Sequence, residues 1–370
     1  MKPDSSLLAR QVLDVSLGLR SGERVWINSW DHTLDVASDL AWECEKRNCP
    51  IVLTVQPEDL WLRSLMEAPL DLVDGLPAGL AALLEQTDVY IYTQGPRSPI
   101  PWDMIPEDRH NLVTLWFFEK NKFVEQWKSI ARRRKVRMLS IEATLATAER
   151  AKVLGLDFEE WSRVMFDGCM ADYSEVARRG NRLVPFLSGE GDAHITTPHG
   201  TDFRFRLAKR PVDFSWGLAT EEKAERGEAV HLPAGGAEVS VDEQSGHGTV
   251  VYDIPIRTGE GTADQLTLEV DDGRISHISA ESGSAVFERY LAEGKGDVDR
   301  LAFFGLGLNP KLLPGFTQDD KVLGNVTIGF GDNIDKFGKN RASNHWWACM
   351  TRATVSINGE AVMENGNLAV

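Results

Sequence analysis

The hydrophobic periodicity of this chain changes near residues 180–189, and that change limits the folds it can adopt. Before this point strand-like and helix-like segments alternate, and after it hairpin signals take over. Alternating strands and helices are typical of a parallel sheet covered by helices, whereas successive hairpins build an antiparallel sheet. The sequence therefore predicts an α/β fold, α+β overall, with an N-terminal parallel-sheet domain over 1–183 and a mostly antiparallel β-rich domain over 184–370.

The first domain is predicted from short runs of β-branched and aromatic residues and from helical apolar spacing. The predicted strands cover 22–30, 49–55, 88–95 and 135–143. The predicted helices cover 32–48, 76–86, 118–134 and 158–178. No Gly-rich phosphate-binding loop follows any of these strands, so the sequence provides no motif for a dinucleotide cofactor.

The second domain carries two strong turn signals. Asp272-Gly273 and Asn358-Gly359 each lie between alternating apolar runs, which is the pattern most favoured for a two-residue type I′ hairpin. A helix is predicted around 284–294, where Val286, Tyr290 and Leu291 are spaced to bury one face. Strands in hairpins are predicted in AHITTPHGTDFRFRLA, TVVYDIPI, DQLTLEVDDGRISHISA and ATVSINGEAVMENGNL.

Composition and charge exclude several classes of function. The chain has 370 residues, 42% of them hydrophobic, which is enough for two domains with full cores. A net charge of −16 argues against binding to nucleic acid or anionic membranes, since both need a basic surface. The N-terminus has neither an export signal nor a membrane span, so a cytoplasmic protein is expected. The four cysteines lack metal-ligand spacing and are expected to be buried thiols.

Three segments rich in glycine and asparagine lie between residues 301 and 347. They read LAFFGLGLNPK, DDKVLGNVTIGFGDN and NRASNHWW. Such segments bring backbone close to a ligand while holding a few polar side chains in place, as in an active site. Of the residues in these three segments, His345 is the one strong candidate for binding a metal ion. The adjacent Asp319 and Asp320 are expected to form a solvated turn, because neighbouring side chains diverge.

The whole chain resembles the aminopeptidase T family of metallopeptidases. The resemblance is carried by LARQVLDVSLGLRSGERVWINSW, GTDFRFRLAKR, LPAGGAEVSV, GLGLNP, GNVTIGFGDN and FGKNRASNHWW, in order and over roughly the full length. The same fold includes mononuclear iron enzymes that open dihydroxypyridine rings, and this chain resembles that branch at least as closely. The resemblance implies a homo-oligomer, because family members assemble as dimers or larger oligomers.

The resemblance also implies where metal ligands should lie, and most of those positions are substituted here. Glu238 occupies a family glutamate position, and His345 occupies the histidine of the closing His-x-Asp motif. Phe303 stands where the peptidases have Glu and the dioxygenases His. Thr327 replaces a histidine, and Trp347 replaces the closing aspartate.

These substitutions remove coordination chemistry. A dinuclear site needs a bridging carboxylate and several further ligands, and a mononuclear iron site of the facial type needs two His and one carboxylate. Phe and Trp donate no useful electron pair to iron or zinc. No metal cofactor is therefore expected; if iron or zinc binds, Glu238 and His345 would be its ligands.

An aromatic-lined pocket is predicted in place of a metal cage. His345 is the candidate general acid or base, with Glu238 orienting it or handling a second proton. The candidate substrate-binding residues are Phe303, Asn309, Thr327, Asn333, Asn344, Trp346 and Trp347. The favoured function is an aminopeptidase T-like enzyme, of hydrolase or acid–base type, acting on a small amide-containing, peptide-like or heteroaromatic molecule. The alternatives are an iron-dependent ring-opening dioxygenase with rearranged ligands and a catalytically inert binding or scaffold protein.

Overall fold

The computed structural model describes residues 4–113, 122–258 and 261–370. Its α-helices are α1 (Ser5–Arg10), α2 (Leu34–Lys46), α3 (Glu58–Glu67), α4 (Leu70–Val73), α5 (Ala78–Glu85), α6 (His110–Val113), α7 (Lys122–Arg134), α8 (Ala148–Leu154), α9 (Phe158–Cys169), α10 (Tyr173–Leu187), α11 (Glu221–Arg226) and α12 (Ser284–Glu293). Its strands are β1 (Val25–Trp30), β2 (Ile51–Gln56), β3 (Val89–Thr93), β4 (Arg137–Ile141), β5 (Glu190–Thr196), β6 (Asp202–Ser215), β7 (Ala229–Leu232), β8 (Gly236–Val241), β9 (His247–Tyr252), β10 (Ile256–Thr258), β11 (Gly261–Ala263), β12 (Leu266–Asp271), β13 (Arg274–Ser279), β14 (Leu301–Gly307), β15 (Val326–Gly331), β16 (His345–Met350), β17 (Thr354–Ile357), β18 (Glu360–Glu364) and β19 (Asn367–Leu368).

The chain divides into two compact units. The first unit comprises Met1–Met170 and Gly217–Pro233, and the second comprises Ala171–Trp216 and Ala234–Val370. The sequence placed a single boundary between residues 183 and 184. The observed division differs because α10 belongs wholly to the second unit and because a short segment returns to the first unit after β6.

The first unit contains a five-stranded parallel sheet in the order β2-β1-β3-β4-β7. Its first four strands match the predicted ones within a few residues, which confirms the α/β fold. Strand β7 was not predicted, because it has only four residues and follows two strands of the other unit. It pairs with β4 through Met138 and Ala229.

The core of the first unit is aromatic on one face of this sheet. The ring of Trp26 lies 4.8 Å from that of Tyr90 and 5.3 Å from that of Trp127, centroid to centroid. Leu84 of α5 and Met138 of β4 complete this buried cluster. Burying one such large side chain stabilises a fold by roughly 1.5–3 kcal/mol, so this cluster fixes α5 and α7 on the sheet.

The helix predictions hold with one correction. The predicted helix over 158–178 is two helices, α9 and α10. The chain breaks between them because the Asp172 carboxylate accepts hydrogen bonds from the backbone N–H groups of Ser174 and Glu175 and so begins a new helix. Of the predicted helix over 118–134, residues 118–121 lie outside the described residues. None of the described helices is both long and apolar enough to cross a membrane.

The second unit is built on a large antiparallel sheet, twelve-stranded within the described residues. Its central path runs β16-β15-β14-β8-β6-β5-β17-β18-β19. Both predicted hairpins are confirmed. Asp272 and Gly273 join β12 to β13, Asn358 and Gly359 join β17 to β18, and all of these turn residues have positive φ, as a type I′ turn requires. The predicted helix around 284–294 is α12.

Gly180 of α10 supports a stability prediction. A Cβ atom at this position would lie 1.8 Å from the indole ring of Trp216, which is itself stacked on Phe214 at 4.6 Å. Alanine normally stabilises a helix relative to glycine by about 1 kcal/mol, but overpacking against a rigid ring costs about 1–3 kcal/mol. We expect Gly180→Ala to lower the free energy of unfolding by about 1–2 kcal/mol in urea denaturation.

The matched control is Gly79→Ala in α5, where a Cβ would meet no atom within 4 Å. This change should leave stability unaltered or raise it by up to about 1 kcal/mol. Equal stabilisation by both substitutions would contradict the packing argument.

Candidate functional site

The predicted catalytic pair and three of the predicted binding residues share one surface of the second unit. Side chains alternate along a strand, so residues two apart point to the same side. Across β8, β14, β15 and β16 the register aligns Glu238 with Gly305, Gly305 with Thr327, Phe303 with Gly329, and Gly329 with Trp347. We call this surface the site face; it bears Glu238, Phe303, Thr327, His345 and Trp347.

Glycines on the site face make room for its larger side chains. A Cβ on Gly305 would lie 3.0 Å from Cγ of Glu238 and 3.4 Å from Cβ of Thr327. A Cβ on Gly329 would lie 2.3 Å from the Phe303 ring. These strands need glycine because the side chains of neighbouring strands pack directly over the glycine backbone.

Three rings lie together on the site face. The Phe303 centroid is 6.1 Å from that of His345 and 6.3 Å from that of Trp347, and His345 and Trp347 are 5.5 Å apart. Trp347 is 40% exposed, whereas Phe303 is fully buried. The exposed indole therefore offers a surface on which a flat molecule could stack beside the imidazole.

A lysine that the sequence analysis did not single out completes the site. Nζ of Lys336 lies 2.5 Å from Oε2 of Glu238, and the two side chains are only 19% and 21% exposed. The same ammonium group lies 4.9 Å from the Phe303 ring centroid, within cation–π range. Glu238, which the resemblance assigns to metal binding, is thus paired with the ammonium group of Lys336.

The electrostatics of the site favour a charged lysine and a neutral histidine. Burial acts to lower the pKa of Lys336, but the Glu238 and Asp213 carboxylates outweigh it and raise that pKa above its ordinary value. Burial, and then the Lys336 ammonium group, lower the pKa of His345 below 6.5. At neutral pH the site therefore combines a proton acceptor with a fixed positive charge.

Asn333 positions the loop that carries Lys336. Its Oδ1 accepts a hydrogen bond from the Asn340 backbone, and its Nδ2 donates to the Ala302 carbonyl at 2.9 Å. Glu243 accepts from the Lys339 backbone at 2.7 Å and forms an ion pair with Arg210. The segment between 333 and 340 is thus held at both ends, and Lys336 projects from it towards Glu238.

The predicted substrate contacts of three other residues are not supported by their positions. Asn309 is fully buried, and its amide donates to the Ala234 carbonyl and accepts from the Lys311 backbone. Asn333 is equally buried, and its hydrogen bonds hold the loop of residues 333–340.

Trp346 points to the opposite side of β16 from His345, where it stacks on Phe330 at 5.2 Å in the core. Asn344 is half-buried and precedes β16, and its backbone carbonyl accepts from the Asp332 N–H.

A cavity of about 220 Å³ adjoins the site face at Trp347 and Cys349. Asp319 lies in its wall, where burial raises the pKa of its carboxyl to about 6, against the opposing effects of the Gly315 amide and Arg257. The sequence predicted a solvated turn at Asp319 and Asp320. The turn exists, but it folds against the sheet, so one of its carboxyl groups is largely removed from water.

The donor atoms of the site face do not fit a tightly held metal ion. Within the described ranges, Asp31, His32 and Glu58 of the first unit are the one group of three His, Cys, Asp or Glu side chains with ligand atoms within 4.8 Å of one another. Glu238 and His345 therefore lack a third such ligand. Cys349 is buried behind Thr327, and burial raises the pKa of its thiol well above the ordinary value, which disfavours the thiolate that binds metals.

Two solved structures are similar to this chain in fold. AmpT from Thermus thermophilus shares 17% identity with a TM-score of 0.69, over 99% of both chains. A 2,5-dihydroxypyridine dioxygenase from Pseudomonas putida KT2440 shares 16% identity with a TM-score of 0.63, over 99% of this chain and 97% of the other. At such identities the likeness establishes the fold. No curated protein matched the sequence.

A family match covers the second unit and its site face. The family is described as NicX, 2,5-dihydroxypyridine 5,6-dioxygenase, and it matches residues 170–370, which is more than half of the chain. The resemblance to the dihydroxypyridine dioxygenase branch is thereby confirmed. This chain belongs to the 2,5-dihydroxypyridine 5,6-dioxygenase family.

Proposed function

We propose that the site face is a metal-independent acid–base site for a flat heteroaromatic or amide-containing small molecule. The observation that carries this proposal is the ion pair between Lys336 and Glu238. The ammonium group 2.5 Å from Glu238 already compensates the charge of this carboxylate and would repel a metal cation placed beside it. The fixed ammonium group supplies the positive charge that a metal would otherwise provide.

Each group has a distinct role in this proposal. His345, neutral at pH 7, takes a proton from the substrate or from water, a contribution worth roughly 10²–10⁴-fold in rate. The Lys336 ammonium stabilises negative charge that develops on a substrate oxygen, and Glu238 holds that ammonium in place. Trp347 stacks on the substrate ring.

An iron-dependent ring-opening dioxygenase is the second candidate. The family match across residues 170–370 favours it. It would require Glu238 to bind iron next to the Lys336 ammonium group, and it would need ligands beyond Glu238 and His345. An inert binding protein with the same pocket would bind the ring without proton transfer.

The pKa of His345 should respond in opposite directions to the loss of Lys336 and to the loss of Glu238, which are two of its four charged neighbours. Lys336 lowers this pKa and Glu238 raises it. We therefore expect Lys336→Met to raise the His345 pKa and Glu238→Gln to lower it further below 6.5. Proton–carbon NMR titration of the protein with labelled histidine measures both, with the signal assigned by its loss in His345→Gln.

A matched control is Lys339→Met, because Lys339 is exposed on the same loop and contributes its backbone N–H, not its side chain, to Glu243. It should leave the His345 pKa unchanged. Shifts of the same sign in Lys336→Met and Glu238→Gln would show that the variants act through a general change in packing.

The acid–base proposal can be tested with 2,5-dihydroxypyridine as the probe. Protein dialysed against chelator should bind this compound, detected by quenching of tryptophan fluorescence, and Lys336→Met should weaken binding by about tenfold, equivalent to one lost charge-assisted contact. In deuterated buffer without oxygen, the protein should accelerate exchange of the ring hydrogens. His345→Gln should reduce this acceleration by about 10²-fold or more.

The competing functions give different results in the same experiment. Oxygen consumption that requires added Fe²⁺ and is lost in His345→Ala would contradict the proposal and support a dioxygenase. Binding without hydrogen exchange would support an inert binding protein. The Lys339→Met variant should behave as the wild type in each measurement.

A further inference from the structure

A second cluster of potential ligands lies at the carboxyl ends of the parallel strands in the first unit. Strand β1 ends at Trp30 and is followed by Asp31 and His32, and β2 ends at Gln56 and is followed closely by Glu58. Because β1 and β2 are parallel neighbours, these ends lie side by side. One ligand atom from each of Asp31, His32 and Glu58 lies within 4.8 Å of the other two.

The imidazole of His32 is buried without a well-placed hydrogen-bond partner. Its side chain is only 8% exposed, and neither ring nitrogen has a partner with good hydrogen-bond geometry; the Thr144 backbone makes only a weak contact with the ring. Nδ1 lies 3.7 Å from Oδ1 of Asp31, which is too long for a hydrogen bond but spans two ligands of one metal ion. Buried polar groups are almost always satisfied, so this orphaned ring points to a missing partner.

The two carboxylates are held in place by backbone donors. Glu58 accepts from the N–H groups of Arg97 and Ser98 at 3.0 and 3.1 Å, and Asp31 Oδ2 accepts from the Glu58 N–H at 3.2 Å. Each carboxylate oxygen has a second lone pair. Such outer hydrogen bonds orient ligands in metal sites.

The donor set suits a divalent cation. Asp31 and Glu58 supply two carboxylates, and the guanidinium groups of Arg97 and Arg150 lie within electrostatic range of the cluster. Burial, and then Arg97, lower the pKa of His32 below its ordinary value. One imidazole nitrogen with two carboxylate oxygens matches the preference of divalent ions such as Zn²⁺, Fe²⁺ and Co²⁺.

A cavity beside His32 provides access. It has a volume of about 550 Å³, and its wall includes His32, Arg97, Thr144, Phe158 and Ser162. In open α/β sheets, ligands bind in the crevice at the carboxyl ends of the strands, where the strand order reverses, and the order β2-β1-β3 places this point beside β1. A metal ion held by three protein ligands would keep further coordination positions for a small molecule in such a cavity.

We propose that Asp31, His32 and Glu58 form a site for a divalent metal ion of the zinc, iron(II) or cobalt(II) type in the first unit, separate from the site face. The ion accepts the lone pair of His32 and one oxygen from each carboxylate.

Cobalt(II) titration of the full-length protein, stripped with chelator, tests this proposal. We expect one equivalent of Co²⁺ to bind and to produce visible d–d absorption bands, which report coordination by protein ligands. Asp31→Asn, His32→Ala and Glu58→Gln should each weaken binding by about tenfold or more, because each removes one ligand. His345→Ala and His247→Ala, the latter in an exposed pair with Asp271, should bind Co²⁺ as the wild type does.

Thermal unfolding separates loss of a ligand from loss of the fold. Zn²⁺ should raise the melting temperature of the wild type above its metal-free value, whereas His32→Ala should melt at the same temperature with and without Zn²⁺. If His32→Ala fails to fold, Asp31→Asn decides, since Asp31 is exposed. Equal Co²⁺ affinity in the wild type and in folded ligand variants, or loss of binding in His345→Ala, would overturn the proposal.

Discussion

The ion pair between Glu238 and Lys336 is the interaction on which the candidate site depends. Breaking a buried pair by removing one partner typically costs about 3–5 kcal/mol, because the remaining charge is left uncompensated. Gly305 and Gly329 leave room for the side chains of Glu238 and Phe303, and Nζ of Lys336 lies 4.9 Å from the Phe303 ring centroid. Burial, and then the Lys336 ammonium group of this pair, lower the pKa of the neighbouring His345.

The asparagine-rich segments serve this pair by shaping the backbone. Asn333 closes its loop by accepting from Asn340, and a Cβ on Gly338 would collide with the Asn333 side chain at 1.9 Å. The side-chain amide of Asn309 also holds its own turn in place, by donating a hydrogen bond to the Ala234 carbonyl. Amide side chains in such segments can bind substrate or can replace secondary structure, and here their burial and hydrogen bonds assign Asn309 and Asn333 to the second role.

Sequence patterns predicted the elements that depend on local periodicity and missed features that depend on distant partners. The parallel strands, both hairpins and α12 follow from residue spacing, and period-two alternation places His345 and Trp347 on one face. The same alternation excludes Trp346 from that face, so its assignment to the site could have been corrected from the sequence. Lys336 could not be found by spacing, because its partner Glu238 is 98 residues away. Charge alone predicts a cation at this place, because a carboxylate that is retained while the other metal-ligand positions are substituted needs another positively charged partner.

The partners of the carboxylates also distinguish Glu238 in the second unit from Asp31 and Glu58 in the first. In the second unit the Lys336 side chain already compensates the charge of Glu238, so the site offers a fixed positive charge beside His345. In the first unit Asp31 and Glu58 accept hydrogen bonds from backbone N–H groups, which orient both carboxylates. The histidine beside them is buried, and neither ring nitrogen has a partner with good hydrogen-bond geometry. The partner of each carboxylate, more than the number of carboxylates, therefore determines where this fold can accept a metal ion.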